Sequence, residues 1–432
     1  MTFNYDLVIL GATLEGIYAA QAAIQFPDKR IALVTQGFSP QAAIAAASFR
    51  RYFSLLSGSD IMAQTALVEE NLSLLAAQGV DIIQAQGIFT QTPTLVLDVE
   101  NRYLRSPAYL LAMGSEPDFS ELSQFSQASF PKAIWTAQTL RNGADWQAGN
   151  HWVIIGATPL GIELAYHLAT LDKQVTLITH NCHILPQEDR EVAHFLQSSL
   201  EAIGVKILLK TDVQAIQSQT AQFQMEIRDH FLEQDFSLNN MDHIFWAQKT
   251  KANLGGLNLA EIGVQFNKNR LVVNSQLQTY RPEIYAIGTA IAGYDLPSLA
   301  EYEARLVLQN TLMRKQAAVN YYPIPVCVTE VPQFARVGLT EAQAQGFYGN
   351  QYQVRRSRFS VFSARSNSQI SGFCKLILDP QQKITGTYLI GDHAKAWINV
   401  FALAIAQKLH LNDLQNLNLP GLKLTEFRTV LN

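Results

Sequence analysis

Cysteine is scarce in this chain. There are three, Cys182, Cys327 and Cys374, and they stand far apart. They form no C-x-x-C pair and no disulfide framework, which fits a reducing compartment and gives no reason to expect a metal site. Charge is scarce as well: 16% of the residues are Asp, Glu, Lys or Arg, and the net charge is −4. That balance points to neither nucleic acid nor an anionic membrane as partner. No apolar run approaches the ~20 residues needed to span a bilayer. The opening residues, MTFNYDLVIL, lack a basic stretch and run straight into an apolar segment. No signal peptide is therefore expected, and the expected location is cytoplasmic.

Core material, by contrast, is plentiful. Of 432 residues, 48% are hydrophobic, enough for roughly two to four domains. The most informative stretch is Tyr5 to Ala20, YDLVILGATLEGIYAA. Leu7 to Leu10 is a short apolar run of the kind buried on both faces of a parallel sheet. Gly11, Ala12, Thr13, Leu14, Glu15 and Gly16 form a tight turn, and Ile17 to Ile24 reads as an Ala-rich helix. Strand, glycine turn and helix open a dinucleotide-binding βαβ unit, with the helix N-terminus aimed at a pyrophosphate. The unit recurs at His151 to Ala165, HWVIIGATPLGIELA, with Gly156, Thr158, Pro159, Leu160 and Gly161 in its turn. Each copy is followed by a second apolar strand, Ile31 to Val34 and Val175 to Ile178. In both copies a threonine, Thr13 or Thr158, replaces the middle glycine. Such a threonine crowds the ligand but offers a hydroxyl that could donate to a phosphate oxygen. The acid expected after each second strand, the usual acceptor for ribose hydroxyls, is also replaced, by Thr35 and by Thr179.

Further along, Ser59 to Gly79 reads as a helix. Val80 to Ile83, Ile88 to Phe89 and Leu95 to Val99 read as a small β-meander, and Tyr109 to Pro117 as an apolar strand. Ser120 to Asn150 is polar and Gln-rich, a crossing between domains. Gln187 to Gly204 reads as a helix, from its acidic start and glycine end. Residues 213 to 247 alternate as a meander ending at Ile244 to Ala247. Ile284 to Gly288 is a buried strand ending in glycine, and Ser298 to Lys315 a long helix. Composition changes near Tyr321, and the part beyond it, without a glycine fingerprint, reads as a third domain.

These pieces resemble, in order, the two-dinucleotide flavoproteins of the pyridine nucleotide–disulfide oxidoreductase family. YLLAMGSEP at Tyr109 to Pro117 is similar to that family's A-T-G-S-x-P strand end, and PEIYAIGTA at Pro282 to Ala290 to its I-Y-A-I-G-D segment. PIPVCVTEVPQFARVGLTEAQA from Pro323 is similar to the start of its interface domain, and Gly372 to Ile405 to the rest of that domain. The resemblance implies an α/β protein with two Rossmann-like domains, of FAD and NAD(P) type, plus an α+β C-terminal interface domain. The expected divisions are 1–119 and 253–319 for the FAD-type domain, 120–252 for the NAD(P)-type domain and 320–432 for homodimerisation. FAD is expected along Gly11 to Gly16, with Thr35 on the ribose side and Ala112, Met113, Gly114, Gly288 and Thr289 at the far end. NAD or NADP is expected along Gly156 to Gly161, with Thr179 and His180 beyond. The apolar face of Ala394 to Leu409, with Trp397 and Phe401 as a stacked pair, is expected to serve the dimer.

The same resemblance exposes losses. The family's redox disulfide, C-x4-C, falls on Ala42 and Ala47, and its C-terminal histidine on Gly421, with Glu426 remaining. The ribityl aspartate is Thr289, and the G-R-x-P-N segment reads AQKTKAN from Ala247. A flavin-side ion pair is retained in kind: Glu163 holds the glutamate position, and Arg50 or Arg51 stands in for the lysine. Two outcomes stay open, a non-catalytic nucleotide-binding scaffold and an FAD-dependent NAD(P)H oxidoreductase that reduces a quinone or dioxygen. Without a thiolate and its acid–base partner, dithiol exchange has no route. The expected result with NADH or NADPH is no lipoamide, glutathione or mercuric reductase activity above background. Turnover that persisted in a C182S/C327S/C374S variant would overturn this argument.

Overall fold

The computed structural model describes residues 3–37, 72–91, 94–120, 134–136, 149–219, 222–248, 250–268, 270–291, 296–330, 333–363 and 368–415. Two compact units emerge. The first comprises residues 1–121, 136–145 and 249–319, and the second residues 122–135, 146–248 and 320–432.

In the first unit, strand β1 (Leu7–Leu10) is followed by helix α1 (Leu14–Ala23) and strand β2 (Ile31–Val34), which lies parallel to β1. The helix begins three residues before the sequence reading placed it, because Thr13 caps it. Strand β3 (Asp81–Ile83) continues the parallel sheet beside β2, so it is not part of the expected meander. The antiparallel meander is instead β4 (Gly87–Gln91), β5 (Leu95–Val99) and β6 (Arg102–Leu104). The expected strand from Tyr109 to Pro117 is two, β7 (Tyr109–Leu111) and β8 (Ser115–Pro117), broken where Gly114 takes a φ of 65°.

The second unit repeats the plan with β9 (His151–Ile155), α2 (Pro159–Thr170), β10 (Gln174–Ile178), α3 (Arg190–Ala202) and β11 (Lys206–Leu208). Strands β12 (Thr211–Gln219), β13 (Gln222–Asp229) and β14 (Gln234–Met241) form an antiparallel sheet. The segment expected to end that meander, β15 (His243–Trp246), leaves it and lies parallel to β9. Ile244 and Phe245 are fully buried, as a strand covered on both faces requires.

The chain then returns to the first unit. Strand β16 (Thr250–Ala252) pairs with β8, β17 (Phe266–Asn267) with β18 (Arg270–Leu271), and β19 (Ile284–Ala286) with β7. Helix α4 (Pro297–Leu312) follows. The first sheet has the order β19-β7-β1-β2-β3 and the second β11-β10-β9-β15. In each, the chain starts in the middle and builds outward on both sides. The crevice at the reversal, β1/β7 or β9/β15, is where such sheets bind ligands. The unbroken apolar run of β1 is explained by its two neighbours. Leu7 and Ile9 join a cluster with Ile17, Ala20, Ala304 and Val307, while Val8 and Leu10 join one with Phe89, Leu97 and Leu104.

The second unit ends in an antiparallel sheet of β20 (Val326–Glu330), β21 (Gln333–Gly338), β22 (Gln353–Ser363), β23 (Ser368–Leu378) and β24 (Ile384–Ile390). Helix α5 (Glu341–Tyr348) follows β21, and helix α6 (Ala394–Ala406) covers the sheet. Ile398, Phe401, Ala404 and Ile405 pack on Ala335, Val337, Leu376 and Leu389. Phe401 is therefore spent on its own core, and the expected Trp397–Phe401 anchor pair is corrected; Trp397 is half-buried and Leu403 exposed.

A charged junction ties α3 to this sheet within the second unit. Lys375, 1% exposed, places its ammonium 2.8 Å from Asp189 and 2.6 Å from Glu341. Arg356 bridges Glu191 at 2.6 Å and Glu341 at 3.3 Å. Asp189 stands at the cap position of α3 yet makes no side-chain cap bond there. Its carboxylate instead accepts the first N–H of α5, from Glu341. Burial alone would push the Lys375 ammonium down, but the hydrogen bonds and charges of Asp189 and Glu341 outweigh it and hold it above 10.5. Burial would likewise push the Glu341 carboxyl up, and Lys375 with Arg356 holds it below 4.5. A raised lysine contributes fully below its ordinary value and loses that contribution as pH rises through the folded value. A depressed carboxyl loses its contribution as pH falls through the folded value. The junction is thus fully effective between about pH 5 and 10. Replacing Lys375 by Ala strands carboxylates at a largely buried point, and we expect a loss of about 3 kcal/mol at pH 7. Urea unfolding measures it; a loss under about 1 kcal/mol would place the junction with ordinary surface pairs.

Candidate functional site

The two crevices are built by the same local geometry. After β1, Gly11 takes a φ of 105°, and a Cβ there would meet the Ala112 carbonyl oxygen at 2.2 Å. A Cβ on Gly16 would meet the Gly11 carbonyl oxygen at 1.9 Å, so the helix can cross the turn this closely only without a side chain. After β9, Gly156 takes a φ of 118°, with the Ala247 carbonyl oxygen 2.5 Å from its Cβ position. Gly161 stands in the same way 2.1 Å from the Gly156 carbonyl oxygen. The outer glycines of both fingerprints are therefore steric necessities of the turn.

The threonines have one role in both copies, and it is not the one expected. Thr13 Oγ1 donates to the Ala112 carbonyl at 2.7 Å and accepts from the Gly16 N–H at 3.3 Å. Thr158 Oγ1 donates to the Ala247 carbonyl at 2.7 Å and accepts from the Gly161 N–H at 3.4 Å. A hydroxyl has one proton, and here it is spent on the neighbouring strand rather than held for a phosphate. Each threonine is a helix cap, worth about 1 kcal/mol, and a tie across the crevice.

At the far end of the first crevice the residues foreseen from sequence do converge. A Cβ on Gly114 would lie 3.5 Å from Thr13 Cγ2 and 4.0 Å from Thr289 Oγ1. Ala112 and Met113 are buried beneath them. Gly288, with a φ of 70°, opens the 3-10 turn Gly288–Ala290. Glu15, 5% exposed on the first turn of α1, folds across Gly288: its Cγ and Oε1 each lie 2.7 Å from the Cβ position there.

Two residues near this point escaped the sequence reading. Glu303, 2% exposed on α4, accepts the Gly288 N–H at 2.7 Å. Its signal was present: it lies three residues after Ala300 and four before Val307, on the buried stripe of the helix. Arg270 donates to the Thr289 carbonyl. Burial pushes its guanidinium down from the ordinary arginine range, against the pull of Asp118. On the ribose side Thr35 is buried, and the next residue, Gln36, spends its amide on the Gly87 backbone at 2.8 and 2.9 Å.

In the second crevice Pro159 is the first helical residue of α2 and buried, while Leu160 is half-buried. Gln248 folds over the turn, its Cγ 2.7 Å from the Cβ position of Gly156. Thr179 is 1% exposed, and its hydroxyl accepts from the Asn181 backbone at 3.3 Å and side chain at 3.2 Å. His180 is exposed. Glu163 is 1% exposed within α2. Its expected partners Arg50 and Arg51 lie outside the described residues, as do Ala42, Ala47, Gly421 and Glu426. Among the described residues no group of His, Cys, Asp and Glu could hold a metal ion, and no helix is long and apolar enough to cross a membrane.

The backbone of the first crevice fits a pyrophosphate: a helix N-terminus faces the switch point, and glycines line it. The Glu15 carboxylate lies against Gly288 at the far end of that crevice. Comparison with known proteins shows the family. The family described as pyridine nucleotide-disulphide oxidoreductase matches residues 5–320, and its dimerisation domain residues 324–428, which supports a homodimer. Dihydrolipoyl dehydrogenase of Bacillus subtilis is 27% identical over 336 residues, covering 75% of this chain and 69% of that protein. Glutathione reductase of Nostoc is 25% identical over 447 residues, 94% of either chain. Mercuric reductase of Streptomyces lividans is 24% identical over 459 residues, 98% of this chain and 94% of the other. The structure of the HOCl-induced flavoprotein disulfide reductase RclA from Escherichia coli superposes with a TM-score of 0.81 at 20% identity. It covers 99% of each chain, a likeness of fold. Members of the family bind FAD and NAD(P), which supports FAD as a cofactor of this chain. With paired crevices, a C-terminal antiparallel sheet and matches that run from Tyr5 almost to the end, the chain belongs to the pyridine nucleotide-disulphide oxidoreductase family.

Proposed function

We propose that this chain is a dinucleotide-binding, homodimeric member of its family that runs no dithiol chemistry and serves as a nucleotide-binding scaffold. The placement of its thiols carries the reading. No cysteine precedes Cys182, so the segment that follows the first glycine turn, where the family carries its redox disulfide, has none. Cys182 is exposed in the loop after β10; Cys327 lies on β20 and donates to the Thr329 carbonyl at 3.1 Å. Cys374 is fully buried on β23, and burial pushes its thiol up, away from the reactive thiolate.

In this reading residues 1–119 and 253–319 form the FAD-type domain, 120–252 the NAD(P)-type domain and 320–432 the dimerisation domain. The first turn, Gly11 to Gly16, holds FAD with Ala112 to Gly114, Gly288 and Thr289 at its far end. The second turn, Gly156 to Gly161, with Thr179 and His180, receives NAD or NADP, and Gln248 must move aside for it. Bound FAD supplies two-electron chemistry. By the family resemblance, Glu163 and Arg50 or Arg51 are the residues that would carry charge toward it. A second reading, an FAD-dependent NAD(P)H oxidoreductase with a quinone or dioxygen as acceptor, is favoured by the retained glycine backbone of both turns.

Absorbance of the purified, FAD-reconstituted protein at about 450 nm, followed by NADH or NADPH under argon, separates the two. The scaffold reading expects the flavin colour to persist; rapid bleaching by either nucleotide would replace it with the oxidoreductase. Sedimentation at micromolar concentration is expected to give a species of about twice the 48.1 kDa chain mass. A 48.1 kDa species that does not grow with concentration would refute the dimer.

A further inference from the structure

The two crevices share a backbone but differ in one side chain at equivalent places. Four residues after the first glycine, the first turn carries Glu15 and the second Leu160. Glu15 is not a solvated surface acid. It is 5% exposed, and its Cγ and Oε1 press on Gly288, where the 3-10 turn after β19 begins. Gly288 has a second carboxylate, since its N–H donates to Glu303 Oε2 at 2.7 Å. Two buried acids thus meet at one glycine, within the crevice that the sheet order marks as the ligand site.

Two physical consequences follow. A carboxylate in the first turn of a helix is itself favoured by the unpaired N–H groups and the helix dipole. Those are the same groups that would receive a pyrophosphate. Thr13 already removes the Gly16 N–H from that set. A dinucleotide entering this crevice then brings negative charge toward a carboxylate that is already there, in surroundings with little water to screen it.

We propose that Glu15 is a built-in anionic competitor for the pyrophosphate of the dinucleotide, so that this residue sets how tightly the first crevice holds FAD. The inference rests on the reading that FAD binds there. The competitor is local and selective. It opposes ligands carrying a pyrophosphate, FAD and ADP, and is indifferent to riboflavin, which has none. At the equivalent place the second crevice carries the neutral Leu160.

The test measures dissociation constants of the apo dimer for FAD, ADP and riboflavin, by fluorescence for the flavins and calorimetry for ADP. The variants are E15Q, which keeps the size and removes the charge, and E15G, which removes both. E301Q serves as the control: Glu301 lies on α4 and pairs with Arg305 at 3.3 Å. The expected result is that E15Q and E15G bind FAD and ADP at least about tenfold more tightly, ~1.4 kcal/mol. Riboflavin should be unaffected, and E301Q should behave as the parent chain. Should E15G fold poorly, E15Q alone decides the matter. FAD binding by the parent chain with no gain in E15Q overturns the competitor and leaves the FAD reading standing. Equal gains for riboflavin and FAD also overturn it, since they would mean a general loosening. No uptake of FAD by the parent or any variant overturns both.

Discussion

The structure depends on how closely two helices cross the strands that precede them. In each half a helix starts so near the end of its strand that the turn leaves no room for a Cβ at its first or last glycine. The separations there are 2.2 and 1.9 Å at Gly11 and Gly16, and 2.5 and 2.1 Å at Gly156 and Gly161. The threonine between them completes the arrangement by bonding to the next strand of the sheet, Ala112 in one half and Ala247 in the other. The strands joined this way are those that flank the reversal of strand order. The tie therefore fixes the width of the crevice at the place where a ligand has to enter.

This constraint explains why the packing on each side is so fully apolar. A helix held that close buries small residues: Ala19, Ala20 and Ala23 of α1 are at most 1% exposed. Larger residues from α4, Leu308 and Val307, fill the space around them. In the first sheet the candidate site residues are found at strand ends or beside them. Glu15, Thr35, Thr289 and Glu303 are all less than 10% exposed while lying at the ends of β1, β2 and β19 or beside them. Polar groups so placed need partners. Those of Gln36, Thr13 and Thr179 come from the protein's own backbone or a neighbouring side chain.

The fold was legible in the sequence to the extent that it follows from local rules. Apolar runs without alternation marked the parallel strands, and glycine spacing marked the two βαβ openings. What misled was sheet membership. Asp81–Ile83 precedes and His243–Trp246 follows meander strands in the chain, and nearness in sequence assigned them to those meanders. Both instead close parallel sheets, a long-range pairing that no local pattern encodes. The same limit applied to the site. Gly114, Gly288 and Thr289 could be placed from motif order, but the meeting of Glu15 and Glu303 at Gly288 could not. It depends on residues 288 positions apart in the chain, counted from Glu15 to Glu303 as 303 − 15.

A glycine fingerprint thus carries two separate messages. Its outer glycines report a steric demand of the strand–helix crossing, and they would be required whether or not a ligand ever bound. Its middle position and the residues just beyond report what enters the crevice. In this chain the first message is intact in both halves, and the second is altered in both. Thr13 and Thr158 turn the middle position inward to the protein, Glu15 lies against Gly288 and Gln248 over the second turn. A fold of this kind can be retained in full while the side chains lining its crevices differ, because the frame is held by backbone atoms. The backbone of Gly11, Gly16, Gly156 and Gly161 maintains the frame. Thr13 and Thr158 help to hold that frame from the middle position, while Glu15 and Leu160, in the first turn of each helix, are where the two crevices differ.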